Sequence, residues 1–155
     1  MFEIRRAMPA DAETIARLIR EAFSPFESDY TPDGYAYTTP DADAVRLRFD
    51  EGPMWIASID GEDVGTVSGM PDDGRFYVRS MAISPRVQRG GIGQKLLDTL
   101  ETHARDAGFE KLYLYATFVL PGARRLYEKN GFYSVRISQP EEWCNMASLE
   151  MEKRI

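Results

Sequence analysis

The chain of 155 residues contains a single cysteine, Cys144, and a single histidine, His103. One thiol cannot form an intrachain disulfide, and it disfavours a zinc site built from thiolates. No apolar run approaches the ~20 residues that a membrane-spanning helix needs, and residues 1–5 lack the apolar region of a secretory signal. We therefore expect a cytoplasmic protein with no membrane partner and no metal, in a compartment where thiols stay reduced.

The sequence also lacks a net positive charge. It contains 19 Lys and Arg residues and 25 Asp and Glu residues, which gives a net charge of −6. This balance argues against nucleic acid as a partner. It is compatible with a cationic substrate such as an amine, although many proteins are mildly acidic for solubility alone, and we prefer that simpler explanation. The length and the 43% of hydrophobic residues predict one domain over residues 1–155.

Glycine is concentrated in one turn, where Gly90, Gly91 and Gly93 follow a predicted strand over 76–83 and precede a predicted helix. The apolar face of that helix comprises Ile92, Leu96, Leu97, Leu100 and Ala104. A strand, a glycine-rich turn and a helix direct several backbone N–H groups, and the positive end of the helix, at one point. This arrangement is typical of a phosphate site, and the alternative is a tight turn that binds nothing.

Two familiar nucleotide-binding sequences do not fit the turn. A P-loop requires Lys and then Ser or Thr after its last glycine, whereas Gln94 follows Gly93, and a dinucleotide fingerprint would need glycine at Leu96. The pattern that fits is Gln88-x-x-Gly91-x-Gly93. Here the sequence resembles the GCN5-related N-acetyltransferases (GNAT), and the resemblance implies that the phosphate belongs to coenzyme A.

A second segment supports the same resemblance. Leu126-Tyr127-Glu128-Lys129-Asn130-Gly131-Phe132 is similar to the L-Y-E-x-x-G-F segment near the end of such enzymes, and one predicted strand separates it from the glycine turn. The resemblance implies an α/β fold of the GNAT (acyl-CoA N-acyltransferase) type, with a mixed six- to seven-stranded sheet flanked by helices. It also implies direct transfer of an acetyl group from acetyl-CoA to an amine of a small molecule or a peptide.

The resemblance assigns roles to particular residues. Tyr127 would donate a proton to the leaving coenzyme A sulfur, and the alternative is a tyrosine of the core. The pantetheine arm would pair with the backbone of the strand before the turn, and the pyrophosphate would meet N–H groups of the turn. The residues expected to bind the cofactor are Met81, Ala82, Ile83, Gln88, Arg89, Gly90, Gly91, Ile92, Gly93 and Gln94.

Two departures from the family pattern leave the function open. Leu120 stands where members often have an asparagine, with Thr117 as its substitute, and the strand over 76–83 carries no carboxylate to act as base, only Arg79 at an outward position. A water chain, a carboxylate of residues 27–33 and Glu51 are the alternatives for the base. The departures keep a coenzyme-A-binding sensor without turnover as an alternative, beside transfer of a longer acyl group. A homodimer is also left open by the resemblance.

The remaining elements are predicted from periodicity and turn residues. Ser24–Pro40 is expected to be a loop, whose aromatic rings either pin it to the core or line a substrate pocket. His103 and Cys144 are expected to be structural. The other predictions are a strand over 2–7, a helix from Pro9 with Asp11 as N-cap, a helix over 41–50, a hairpin of 54–59 and 64–70 around Asp60-Gly61, a buried parallel strand over 111–117, a short helix from Pro121, and a closing antiparallel pair over 132–137 and 145–152.

Overall fold

The computed structural model, which describes residues 1–87 and 90–155, contains one mixed β-sheet with helices on both faces. The strands are β1 Phe2–Arg6, β2 Met54–Ile59, β3 Glu62–Asp72, β4 Arg75–Ile83, β5 Lys111–Thr117, β6 Tyr133–Ser138 and β7 Ser148–Arg154. The α-helices are α1 Ala12–Phe23, α2 Pro32–Thr38, α3 Ala42–Arg48, α4 Ile92–Asp106 and α5 Pro121–Lys129. Short 3-10 helices span Pro9–Asp11, Ser24–Asp29, Pro85–Val87 and Pro140–Glu142.

The seven strands lie in the order β1-β2-β3-β4-β5-β7-β6. β4 and β5 are parallel and all other neighbours are antiparallel. Because β4 and β5 are joined through α4, their parallel orientation follows from the crossover, as predicted. The predicted closing pair is also present, but β7 is inserted between β5 and β6, and it begins three residues later than expected, at Ser148.

Each face of the sheet carries its own apolar core. The predicted apolar face of α4 is confirmed, since Ile92, Leu96, Leu97, Leu100 and Ala104 are all buried against one face, together with Phe76, Leu112 and Leu114. The opposite face packs on α1 through Ile15, Ala16, Ile19, Ala22 and Phe23. Burial of these side chains on two faces is the main force that holds the sheet between its helices.

One local prediction was wrong, and the N-cap prediction for Asp11 was confirmed in position but not in its hydrogen bond. Ser24–Pro40 is a 3-10 helix followed by α2 instead of a loop, because Thr31 caps α2 by accepting a hydrogen bond from the Gly34 N–H at 3.0 Å, with Pro32 in the first turn. Asp11 does precede α1, but its carboxylate does not cap that helix. It accepts from the Met8 N–H at 2.8 Å and pairs with Arg5 at 2.9 Å.

The hairpin turn between β2 and β3 was predicted correctly. Asp60 and Gly61 have φ angles of 51° and 84°, the left-handed conformation that a two-residue turn between twisted strands requires. Within residues 1–87 and 90–155, no helix combines the length and the apolar character needed to cross a membrane.

Candidate active site

The candidate site is a cleft between β4 and β5. Their ladder contains only two pairs, Phe76 with Leu112 and Tyr77 with Tyr113. Beyond these pairs a cavity separates the strands. Val78 belongs to the core under α4, and Arg79, the next residue of the strand, points to the opposite face, so the cavity is lined from both sides of the sheet. The cleft therefore connects the α4 face with the α1 face.

A β-bulge re-aims β4 within this cleft. Thr66 of β3 pairs with Ala82, whereas Ser68 pairs with Arg79, so two residues of β4 oppose one of β3. Ser80 has a φ of 56°, an uncommon conformation for a residue with a side chain. After the bulge, Ala82 packs with the α1 core, while its neighbour Met81 contacts the α4 core. Met81 thereby reaches the cavity, and its backbone is one of the predicted pantetheine contacts.

The glycine turn lies at the start of α4. Gly91 is the N-cap residue with a φ of 73° and has no side chain with which to cap the helix. By helix geometry the first-turn N–H groups of Ile92, Gly93 and Gln94 have no acceptor within the helix. Ile92 is 2% exposed and anchors the turn in the core. A Cβ atom on Gly93 would lie 3.0 Å from Leu126 Cδ2, so glycine permits the close approach of α4 and α5.

Of the other turn residues that were predicted to bind the cofactor, the structure describes Gly90 and Gln94. The Gly90 N–H donates to the Val87 carbonyl at 3.2 Å, and Gly90 is exposed. The Gln94 side chain donates to Asp98 at 2.9 Å and also to Asn130, which ties α4 to the end of α5. Gln88 and Arg89 lie outside the described residues.

Ala82 is buried with its backbone in the β3 ladder, and Ile83 pairs in the same ladder with Gly65.

Tyr127 lies on α5 and lines the cavity together with Met81. Its ring packs edge-on against Phe132 with centroids 5.7 Å apart. Burial raises the pKa of Tyr127 to about 12, with a smaller contribution from nearby Tyr30. The phenol is consequently protonated at any physiological pH, and it can donate a hydrogen bond into the cavity.

A second phenol lies in the same cavity and is buried. Tyr30 is 8% exposed, and its hydroxyl lies 3.5 Å from Thr117 Oγ1. Burial raises the pKa of Tyr30 as well. Thr117 thus contacts Tyr30, and Leu120 lines the cavity at the position where the family asparagine was expected. Tyr30 belongs to the aromatic segment Ser24–Pro40, whose rings were expected either to pin it to the core or to line a pocket, but its contact with Thr117 was not predicted.

One wall of the cavity is aromatic. This wall is formed by Phe23, Tyr30, Tyr37, Tyr77, Tyr115 and Trp143. Tyr37 and Trp143 meet edge-on with centroids 5.7 Å apart, and Tyr77 and Tyr115 do so at 6.0 Å. Both alternatives for the aromatic segment after α1 hold in part, because Tyr30 and Tyr37 line the cavity while Tyr35 packs against the α1 core.

No carboxylate or imidazole lines this cavity among the residues that the structure describes. Glu51, one of the bases considered, instead accepts from Arg79 Nη2 at 2.7 Å. His103 lies near the far end of α4, with its ring against Trp55 and Phe76 at 5.3 and 5.7 Å. Cys144 is partly buried beside the cavity wall, and burial raises the pKa of its thiol. In the described ranges, no group of three or more potential metal ligands is assembled either.

Comparison with known proteins identifies a family over most of the chain. The model of the acetyltransferase (GNAT) family matches residues 14–132. A solved structure of the PaiA N-acetyltransferase from Thermoplasma acidophilum in complex with coenzyme A superimposes with a TM-score of 0.83, with 18% identity over 100% of this chain and 99% of that one. At this identity the likeness shows the fold.

Curated relatives differ in how much of their length this chain matches. An uncharacterized N-acetyltransferase of Escherichia coli (strain K12), YjgM, is 30% identical over 136 residues, which are 83% of this chain and 80% of that protein. A probable N-acetyltransferase of Xenopus tropicalis, camello, is 33% identical over 100 residues, which are 63% of this chain. Those residues span only 46% of camello.

Proposed function

Since this chain belongs to the GNAT family of acetyltransferases, we propose that residues 1–155 form one N-acetyltransferase domain that transfers an acetyl group from acetyl-CoA to an amine. The observation that carries the proposal is the convergence on one cleft. The glycine turn at the start of α4 adjoins Leu126, and the neighbouring Tyr127 and the bulged strand residue Met81 line the same cavity.

The proposed cofactor position follows from the first-turn N–H groups of α4, which have no acceptor within the helix. The pyrophosphate would accept hydrogen bonds from the first N–H groups of α4, where the positive end of the helix also favours an anion. The pantetheine arm would lie along β4 beyond Tyr77, where the ladder with β5 is open. That path leads the thioester to the bulge at Ser80 and Met81.

The proposed reaction is a direct transfer through a ternary complex. The amine nitrogen attacks the thioester carbonyl, a C–N bond forms, and the C–S bond then breaks with its electron pair moving to sulfur. The amine loses one proton and the sulfur gains one, so the products are an amide and free coenzyme A. The Tyr127 hydroxyl donates a hydrogen bond to the sulfur as negative charge develops there.

The acceptor amine must enter this reaction neutral. An alkylamine with a pKa near 10.4 is neutral in only about one molecule in 10³ at pH 7.4, which costs roughly 4 kcal/mol. No cavity-lining residue in the described ranges offers a carboxylate for its proton. We infer that the proton leaves the amine before or during entry to the aromatic cavity, where burial favours the uncharged form.

Thermal unfolding with acetyl-CoA, and with coenzyme A, tests the cofactor site. A ligand present at 100 times its Kd stabilises the folded state by ~2.7 kcal/mol, so a clear rise in Tm is expected. Gly91→Trp should abolish the rise. Gly74→Trp is the matched control, because Gly74 has a similar φ of 81° and open space around its Cβ position, but lies at the other end of β4.

Thiol release then separates the alternatives. An N-acetyltransferase releases coenzyme A when an accepted amine is added. A coenzyme-A-binding sensor would show the Tm shift without release for any amine tried, and an enzyme for longer acyl groups would turn over butyryl-CoA faster than acetyl-CoA. Absence of any Tm shift at saturating ligand would mean that the glycine turn does not bind coenzyme A.

A further inference from the structure

The acceptor side of the cavity contains a buried arginine that the proposed transfer does not use. Arg79 of β4 lines the cavity, and only 8% of its side chain is exposed. Its Nη2 donates to Glu51, but its Nε is buried and has no hydrogen-bond partner within residues 1–87 and 90–155. A buried N–H donor without a partner is destabilising, so its presence at the cavity calls for an explanation.

A second guanidinium lies beside the first. Arg48 of α3 donates to Ser80 Oγ at 2.8 Å and to the Tyr37 carbonyl at 3.1 Å. No carboxylate is within ion-pair distance of Arg48 in the described ranges. Burial lowers the pKa of Arg48 most, and the positive charge of Arg79 lowers it further, while Tyr37 and Glu51 partly offset both effects. The two cations are therefore near each other.

The charges around this end of the cavity do not balance. Arg48 and Arg79 carry two positive charges, and Glu51, which is 43% exposed, supplies one negative charge. The cavity wall itself adds only aromatic rings, hydroxyls and apolar groups among the described residues. One excess positive charge therefore remains at a partly desolvated site, and an anion with a single charge would neutralise it.

We propose that the acceptor carries a carboxylate beside its amine, and that Arg79 binds this carboxylate while the aromatic wall holds an apolar or aromatic body. This inference rests on the proposed N-acetyltransferase function and names its substrate class, an amino acid with a large apolar side chain. The planar guanidinium matches the geometry of a carboxylate. A phosphate monoester, with a charge of about −1.5 to −2, would overcompensate the excess.

The position of Arg79 along the strand fits a short separation between amine and carboxylate. Arg79 precedes Met81 by two residues, about 7 Å along an extended strand and less across a bulge. The thioester is proposed to lie at the backbone of Met81. An amine nitrogen within reach of that carbonyl can thus be two bonds from the carbon of a carboxylate at Arg79, as in an α-amino acid. As a zwitterion, such an acceptor has no net charge and is not repelled by an acidic protein.

The first arm of the test uses acceptor pairs that differ only in the carboxylate. Phenylalanine is compared with phenethylamine, and tryptophan with tryptamine, in the thiol-release assay with acetyl-CoA. We expect kcat/KM to be at least 10-fold higher for the member with a carboxylate in each pair that reacts. A preference for the carboxylate-free amines would overturn the proposal.

The second arm needs no turnover and so separates this inference from the proposed function. In the presence of coenzyme A, 3-phenylpropanoate at millimolar concentration should raise the Tm of the wild-type protein, and phenethylamine should raise it less. If coenzyme A shifts the Tm but 3-phenylpropanoate adds nothing, the acceptor carboxylate is refuted while the cofactor site stands. If coenzyme A itself gives no shift, the proposed function fails first.

Variants of β4 assign the effect to one side chain. Arg79→Gln should raise the KM for the carboxylate-bearing acceptor roughly 10- to 100-fold, bring the ratio within each pair close to one, and abolish the 3-phenylpropanoate shift. Arg79→Lys, which keeps the charge, should recover part of the shift. Arg75→Gln is the control, because Arg75 lies on the same strand and is ion-paired with Glu150 and Glu152, outside the cavity. An equal loss of preference in Arg75→Gln would contradict a specific role for Arg79.

Discussion

Replacement of Tyr127 by phenylalanine tests the chemistry most directly. Burial raises the pKa of the Tyr127 phenol to about 12, whereas a thiol has a pKa near 8.5. The phenol is therefore a weak proton donor toward a thiolate. Complete proton transfer from the phenol to a solvated thiolate would be unfavourable by about 3.5 pKa units, or roughly 5 kcal/mol. We therefore expect Tyr127 to act chiefly by donating a hydrogen bond to the developing thiolate. Complete transfer of its proton to sulfur early in the reaction is not expected.

The magnitude of the expected loss follows from that role. A hydrogen bond to a charged group contributes about 1.5–3 kcal/mol, which corresponds to roughly 10- to 150-fold in rate. Tyr127→Phe should lower kcat by this factor. The KM for acetyl-CoA should change little, because the interaction strengthens only as charge forms on sulfur. The phenyl ring keeps the contact with Phe132, so the fold should be retained.

The assay is steady-state thiol release at saturating acetyl-CoA, with the acetyl-CoA Tm shift as a check on binding. Tyr30→Phe is the matched variant, since Tyr30 is a second buried phenol of the same cavity. We expect Tyr30→Phe to change the KM of the acceptor more than kcat. Retention of kcat within about threefold in Tyr127→Phe would refute the assignment, and a larger kcat loss in Tyr30→Phe would transfer the role to Tyr30.

Three further predictions concern the cofactor turn, the core and the pH profile. Gly91→Trp should remove the Tm shift by coenzyme A, whereas Gly74→Trp should keep it despite a comparable backbone strain of ~1–2 kcal/mol. Phe76→Ala should destabilise the protein by about 3–5 kcal/mol in urea unfolding, since Phe76 is 1% exposed, while Val135→Ala at a 45% exposed site should change stability by no more than ~0.5 kcal/mol. The kcat/KM for the acceptor should rise with pH until the pH reaches the pKa of the amine. At every pH up to ~10, kcat/KM should show no decrease.

The sequence predicted those parts of the fold that follow from hydrophobic periodicity or from the segment that joins two elements. The α4 face was predicted completely because five apolar residues recur at helical spacing, and all five are buried. The parallel arrangement of β4 and β5 follows from the helix between them. The glycine turn was recognised because its conformation depends on residues without a Cβ atom, and Gly91 does adopt a positive φ.

Other features depend on tertiary contacts or on a weak local signal. α2 was missed although Thr31 and Pro32 form an ordinary helix start, because Pro25, Gly34 and Pro40 interrupt the helical periodicity of the segment and are typical of a loop. The bulge at Ser80 has no sequence signature, since serine seldom adopts a positive φ. That bulge sets the faces to which Met81 and Ala82 point, so the access of Met81 to the cavity followed only from the structure.

The cavity as a whole leads to a specific pH behaviour. Arg79 is cationic, the buried phenols of Tyr30 and Tyr127 have raised pKa values, and no described lining residue is a carboxylate or histidine. The described lining residues therefore offer no carboxylate or imidazole that could act as a base near neutral pH, and the raised pKa of Tyr127 keeps its proton in place until pH approaches about 12. The acceptor amine is then the group that titrates, so the apparent pKa of the rate should follow the pKa of each acceptor used. An apparent pKa that stayed near 7 for acceptors of different basicity would instead reveal a base within the protein and contradict this account.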